Sequence, residues 1–221
     1  MNDVIAIDGP AGAGKSTIAR RVASQLGYTY IDTGAMYRAI ALWAIRTGIH
    51  PDEATRLEQL ATAAEIELDA ERRVFLNGDD ITEAIRTPQV SALASQVAAI
   101  GGVRAALVLK QRAIAASRGV VMEGRDIGTV VFPDARVKIF LDADPNERVQ
   151  RRATEQPDVP AAQLAAQIAE RDARDRGRVE SPLVQAEDAV YVDSTGLTLE
   201  QVEAKILDII KVSKGNTAQV E

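Results

Sequence analysis

The chain contains no cysteine. Disulfides, thiol nucleophiles and cysteine-ligated metals are therefore excluded, and the absence suits a reducing cytosol. Histidine is reduced to one residue, His50, which follows "RTGI", precedes Pro51 and reads as a loop residue. Excess positive charge is missing as well: 26 Lys and Arg face 32 Asp and Glu, a net charge of −6. Bulk electrostatics thus give no reason to expect nucleic acid or a membrane as partner. No long hydrophobic run occurs. The first apolar stretch is a few residues long and follows Asn2 and Asp3 rather than a basic segment. Neither a signal peptide nor a membrane span is expected, and the expected location is the cytoplasm. There is no fixed-period repeat, no low-complexity tract and nothing that demands an obligate dimer, so a monomer is expected. What remains, 221 residues of which 46% are hydrophobic, suits one or two compact units.

Strand and helix patterns alternate along much of the chain. "DVIAI" reads as a buried strand and "STIARRVASQLG" as a helix ended by Gly27. "YTYID" is a second strand, and "GAMYRAIALWAIRTG" a second helix closed by Gly48, with Trp43 expected in packing. "GVVMEG", "ARVKIFLDA" and "AVYVDS" read as later strands. Helices are expected from about Pro145, from about Pro160 and over "TLEQVEAKILDIIKVS". Such alternation argues for βαβ units and a parallel sheet. The stretch 51–99 breaks it with a polar helix and then "IELDAERRVFLNGDDIT", short strands with a turn at Asn77-Gly78. It reads as a small strand-rich insert. Residues 213–221 read as a solvated tail.

The densest signal is "GPAGAGKS": Gly9, four residues, then Gly14-Lys15-Ser16. This is the phosphate-loop pattern in full, set between a strand and a helix. Glycines allow backbone conformations that a Cβ would block. Successive N–H groups then face one concavity at the positive end of a helix, where phosphate oxygens sit. Lys15 is expected to reach the β- and γ-phosphates of a nucleotide, and the Ser16 hydroxyl to help hold Mg²⁺. GTPases, motors, transporters and small-molecule kinases share this loop, so it does not name a reaction.

Three further clusters narrow it. "DTGAMYR" puts Thr33 and Gly34 at a strand end, with Tyr37 and Arg38 one turn on. Strand ends are where open α/β sheets bind ligands, and an arginine there can fork onto phosphate. The bland alternative is a helix cap at Asp32 or Thr33 followed by surface residues. "EGRDIGTVVFPDA" ends a strand in Glu123-Gly124-Arg125-Asp126. Arg125 suits a phosphate, and Asp126 an amino group or hydroxyl, unless the two only pair with each other. Finally, Arg148, Arg151, Arg152, Arg171, Arg174, Arg176 and Arg178 crowd two helical segments of an acidic chain. Some must pair locally with Glu170, Asp172 and Asp175. Phosphoryl transfer, however, needs cations around a charge-dispersed transition state.

Together these stretches resemble the bacterial cytidylate kinases, a branch of the nucleoside-monophosphate kinases. The resemblance runs in order through "IDGPAGAGKST", "DTGAMYRA", "SQVAA", "GRDIGTVVFPDA", "KIFLDA", "ERDARDRGR" and "DSTGLT" and covers nearly the whole chain. It implies an α/β fold: a P-loop core with a central parallel sheet flanked by helices, a small strand-containing monophosphate-binding insert and a short helical lid. On this reading the core is 1–50 with 100–212, the lid about 150–171 and the insert 51–99. It implies transfer of a phosphoryl group from ATP, with Mg²⁺, to CMP or dCMP. The ATP phosphates fall to Gly9, Gly12, Ala13, Gly14, Lys15, Ser16 and Thr17, with Ser16 at the metal. CMP falls to Thr33, Tyr37, Arg38, Ser95, Arg104, Arg125, Asp126, Arg171, Asp175 and Arg178. Lys15, Arg125 and Arg178 are the implied catalytic cations. No separate general base is expected, because the attacking phosphate oxygen is already anionic. Two alternatives stay open: a P-loop kinase for another monophosphate such as UMP, and a non-enzymatic nucleotide switch. The second is disfavoured by the absence of an N-K-x-D guanine motif.

Overall fold

Residues 3–69 and 71–215 are described in the computed structural model. The first part of the chain forms β1 (Val4–Asp8), α1 (Lys15–Leu26), β2 (Thr29–Asp32), α2 (Thr33–Thr47) and α3 (Ala54–Ala63). Three short strands follow, β3 (Ile66–Leu68), β4 (Val74–Leu76) and β5 (Asp79–Asp80), then α4 (Pro88–Val97) and α5 (Gly101–Ala115). The last part contains β6 (Val120–Gly124), a π turn over Ile127–Val131, β7 (Val137–Asp142), α6 (Pro145–Glu155), α7 (Ala161–Arg176), β8 (Val190–Asp193) and α8 (Leu199–Gly215). No single helix among the described residues is long and apolar enough to cross a membrane.

The chain divides into two compact units, residues 1–30 with 118–221 and residues 31–117. The first is built on a sheet of strand order β2-β6-β1-β7-β8. The pairs β1–β6, β1–β7 and β7–β8 are all parallel. β1 and β6 are buried at every residue, as strands covered on both faces must be, which is why each begins as a continuous apolar run before its charged residue, Asp8 or Glu123. Ile5, Ile7, Val121, Ile139 and Leu141 from the strands meet Ile18 and Val22 of α1 and Ile206 and Ile210 of α8 in one core. Burying each such side chain contributes about 1.5–3 kcal/mol. α1 stops at Gly27, whose left-handed backbone (φ 66°) sends its N–H back to the Ser24 carbonyl. Lys138 is buried near the start of β7, whose other charged residue, Asp142, closes the strand. Its ammonium is held by both carboxylate oxygens of Asp188 at 2.9 and 2.7 Å.

The second unit has its own core. Met36 and Ile40 of α2, Leu57 of α3, Val74 and Leu76 of β4, Val90 of α4 and Leu107 of α5 are buried together. β3, β4 and β5 form an antiparallel sheet turned at Asn77 (φ 52°) and Gly78 (φ 87°), the left-handed pair that a tight hairpin needs. His50 lies in the loop after α2, exposed and beside Asp52, and Trp43 packs half-buried against the core. The compact unit is wider than the 51–99 stretch that breaks the sequence alternation, because α2 and α5, on either side of it, bury their apolar faces with it. At the other end α8 continues to Gly215, so residues 213–215 extend the closing helix instead of beginning a tail. Residues 216–221 lie outside the described residues. The segment 150–171 is mostly helical, formed by the end of α6 and the first two-thirds of α7.

Candidate active site

The phosphate loop joins β1 to α1. Gly9, Gly12 and Gly14 take φ values of 148°, 78° and 87°, a region that side chains disfavour. A Cβ on Gly9 would lie 2.0 Å from the Leu141 carbonyl oxygen of β7. Gly9→Ala is therefore expected to cost more than about 2 kcal/mol of stability and to remove ATP binding. Urea unfolding and calorimetric titration with ATP check both effects. Gly14 caps α1 without any side-chain hydrogen bond, which leaves the first-turn N–H groups to a ligand. Lys15 curls back so that its ammonium donates to the Pro10 carbonyl at 2.6 Å. Only 5% of it is exposed. Burial, reinforced by repulsion from Arg125, lowers its pKa from the ordinary 10.5 to about 7. Ser16 stands exposed at the head of the helix.

Two arginines of α6 hold this loop from the side. Arg148 donates to the Ala11 carbonyl at 3.0 Å and Arg151 to the Ala13 carbonyl at 3.2 Å. Arg151 also donates to the Ser194 hydroxyl at 2.9 Å.

A second group of charges gathers at the end of β6 and the end of α7. Arg125 donates from Nε to Asp175 at 2.8 Å, and Arg178 pairs with the other oxygen of the same carboxylate. Asp175 is 1% exposed. Burial alone would raise its pKa, but Arg125, Arg178 and Arg171 hold it below the usual carboxylate range. Arg125 and Arg171 also repel the Lys15 ammonium, and Glu123 attracts it. One carboxylate thus carries two arginines beside a lysine whose own charge is disfavoured. A polyanion would stabilise all of these cations together.

Asp8, the last residue of β1, braces the chain that follows β6. Its carboxylate accepts from the Ile127 and Gly128 N–H groups at 2.9 and 2.7 Å. Full burial raises its pKa from 3.8 to about 6 against the lowering effect of those two bonds. Asp126, also buried, leads into the π turn that Asp8 holds.

In the second unit, Asp32 caps α2 by accepting from the Ala35 N–H at 3.0 Å and holds Arg38 at 2.8 Å. Thr33 is buried at the same helix end. Arg104 of α5 lies over the Tyr37 ring, 5.6 Å from its centroid, and donates to the Ala98 carbonyl at 3.0 Å. Ser95 of α4 is buried. Thr33, Tyr37, Ser95 and Arg104 belong to this unit, and Lys15, Arg125, Asp126, Arg171, Asp175 and Arg178 to the first.

The arginine-rich helices separate into two kinds. Arg152 pairs with Glu155 and Arg174 with Glu170, exposed local contacts of small worth. Arg148 and Arg178 are buried in ion pairs. Sequence reasoning gave no individual role to Arg148, Asp172 or Asp8. Asp8 adjoins the phosphate loop, and a charged residue closing an apolar strand was the available signal.

A sequence model of the cytidylate kinase family matches residues 5–212. The chain is 59% identical to a cytidylate kinase of Solibacter usitatus over 94% of its own length and 92% of that protein's. It is 49% identical to a cytidylate kinase of Syntrophotalea carbinolica over 94% and 91% of the two chains. Among solved structures it resembles a gluconokinase from Sinorhizobium meliloti, with a TM-score of 0.52, 13% identity and coverage of 100% and 98%. That likeness concerns the fold alone: a parallel sheet flanked by helices. With the family pattern spanning both compact units and more than half of all residues shared with one member, this chain belongs to the cytidylate kinase family.

Proposed function

We propose that the protein transfers the γ-phosphoryl group of ATP to CMP or dCMP, giving ADP and CDP or dCDP. The observation that carries this reading is family membership over residues 5–212, joined to a buried set of cations with a single shared carboxylate. Two phosphate groups, each with roughly −1.5 to −2 charge, repel one another strongly near neutral pH. Lys15 and the phosphate-loop amides bind the donor. Arg125 and Arg178, fixed by Asp175, bind the acceptor phosphate, a role the family pattern also assigns to Arg38, held by Asp32. Such fixed cations offset the repulsion and hold the oxygens in line without reorganising during transfer. The attacking oxygen carries its own negative charge, so no side chain needs to remove a proton.

The loop suits a nucleotide triphosphate carrying Mg²⁺. Gly9 and Gly12 leave no space for a side chain, the helix start has no side-chain cap, and Ser16 is exposed there. When bound, the ion neutralises charge on the β- and γ-phosphates, with Ser16 as its protein ligand. By the family pattern, Thr33, Tyr37, Ser95, Arg104 and Asp126 are assigned to recognition of the cytosine, and Arg171 and Asp175 to that of the ribose. Cytosine offers an amino group where uracil has a carbonyl. A hydroxyl or carboxylate acceptor is left unpaired by uracil, which selects against it.

The test is ADP release coupled to a reporter across CMP, dCMP, UMP, AMP and GMP. CMP and dCMP are expected to give the highest kcat/KM. Preference for AMP or GMP, or nucleotide binding with no acceptor-dependent turnover, overturns the proposal.

A further inference from the structure

Two buried charges remain outside the role assignments above. Arg148 of α6 and Asp172 of α7 are 5% and 4% exposed, and they pair directly with each other. Together they hold one residue of the phosphate loop. Arg148 donates to the Ala11 carbonyl at 3.0 Å, while the Ala11 N–H donates to Asp172 at 3.3 Å. Gly12, the next residue, packs on the backbone of Arg148, where an added Cβ would stand 3.0 Å from the Arg148 carbonyl oxygen. Both polar groups of Ala11 and the flank of Gly12 are thus fixed from outside the loop. A buried pair of this kind adds little net stability compared with an apolar pair of the same size. Its presence beside the phosphate loop calls for another explanation.

That explanation lies three residues further along α7. Asp172 and Asp175 are one helical turn apart and share a face. Asp175 holds Arg125 and Arg178. One turn of α7 therefore grips the phosphate loop through Asp172 and the acceptor-side arginines through Asp175. We propose that Asp172, with Arg148, is a positioning residue for phosphoryl transfer, and that this turn of α7 fixes the donor cradle relative to the cations that receive the acceptor phosphate. The inference rests on the kinase reading above.

The pair can be removed without leaving a buried charge. Arg148→Met/Asp172→Leu replaces it with apolar side chains, whereas Asp172→Asn keeps the shape and the acceptor for the Ala11 N–H but leaves the Arg148 guanidinium without its carboxylate, so the stability of that variant is expected to fall. If the grip sets alignment, the double variant still unfolds cooperatively on heating, and the calorimetric affinities for ATP and for CMP stay within about threefold of wild type. kcat falls by about 10²-fold, the cost of displacing reacting groups by roughly an ångström. ADP released per CDP formed rises, because a misaligned donor loses its phosphoryl group to water in place of CMP. Retained kcat overturns the proposal. So does a loss of ATP affinity that accounts for the whole loss of kcat/KM, since the pair would then only shape the ATP site. An unchanged ADP-to-CDP ratio also overturns it. Should the double variant fail to fold, Asp172→Asn decides by the same three readouts. Wild-type CDP formation, measured in parallel, shows independently whether the kinase reading itself holds.

Discussion

Lys15→Met is expected to lower kcat by about 10³-fold without unfolding the protein. The side chain is buried, bent back onto the Pro10 carbonyl, and repelled by Arg125 and Arg171. Without an anion in the loop its ammonium is a liability, and its pKa is lowered to about 7. Phosphate oxygens reverse that balance, so nucleotide binding draws a proton onto Lys15 when the pH lies above 7. The sign follows for stability too. A lysine whose folded pKa is depressed contributes its stability fully above the unfolded value of 10.5 and loses it as pH falls through about 7. Wild type is therefore expected to gain thermal stability relative to Lys15→Met as pH rises from 7 toward 10. Steady-state kinetics, melting against pH, and ATP titration in two buffers of different ionisation enthalpy measure these effects. Turnover within tenfold of wild type would remove Lys15 from the mechanism.

The phosphate loop was legible because its physics is local. Three glycines at fixed spacing, a lysine and a serine between an apolar strand and an amphipathic helix leave few other readings. The turn at Asn77-Gly78 was legible for the same reason, since left-handed backbone restricts residue choice. The reach of the second unit was not. α2 and α5 carry apolar faces, but helical periodicity does not say which core a face will join. The π turn over "IGTVV" was hidden as well. Its β-branched residues suit a strand, and it bends because Asp8, more than a hundred residues earlier, accepts its first two N–H groups. Arg148 and Asp172 were invisible for a related reason. Charges on arginine-rich helices look like local i,i+3 and i,i+4 pairs, and only the fold reveals that these two meet at Ala11.

Arg125→Ala carries the second large effect, and its consequences for folding and for turnover can be separated. Arg125 supplies one of the cations that keep the buried Asp175 ionised. Removing one partner of a buried pair typically costs about 3–5 kcal/mol, and the value here should fall at the lower end because Arg178 and Arg171 remain. Asp175 has a depressed folded pKa, so its contribution is present above the ordinary 3.8 and is lost as pH falls through the folded value. The stability gap between wild type and variant is therefore widest near neutrality and narrows in acid. Urea unfolding at pH 7 and at pH 3 measures it. kcat is expected to fall by about 10³-fold, as for other arginines that face a transferring phosphoryl group. Arg125→Lys distinguishes the two roles. It restores positive charge beside Asp175 and with it much of the stability, but it lacks the planar fork that can bond Asp175 through Nε while presenting other N–H groups to a phosphate. Stability should recover in Arg125→Lys and turnover should not. If turnover recovers in step with stability, Arg125 serves the fold through Asp175, and the acceptor phosphate is held elsewhere.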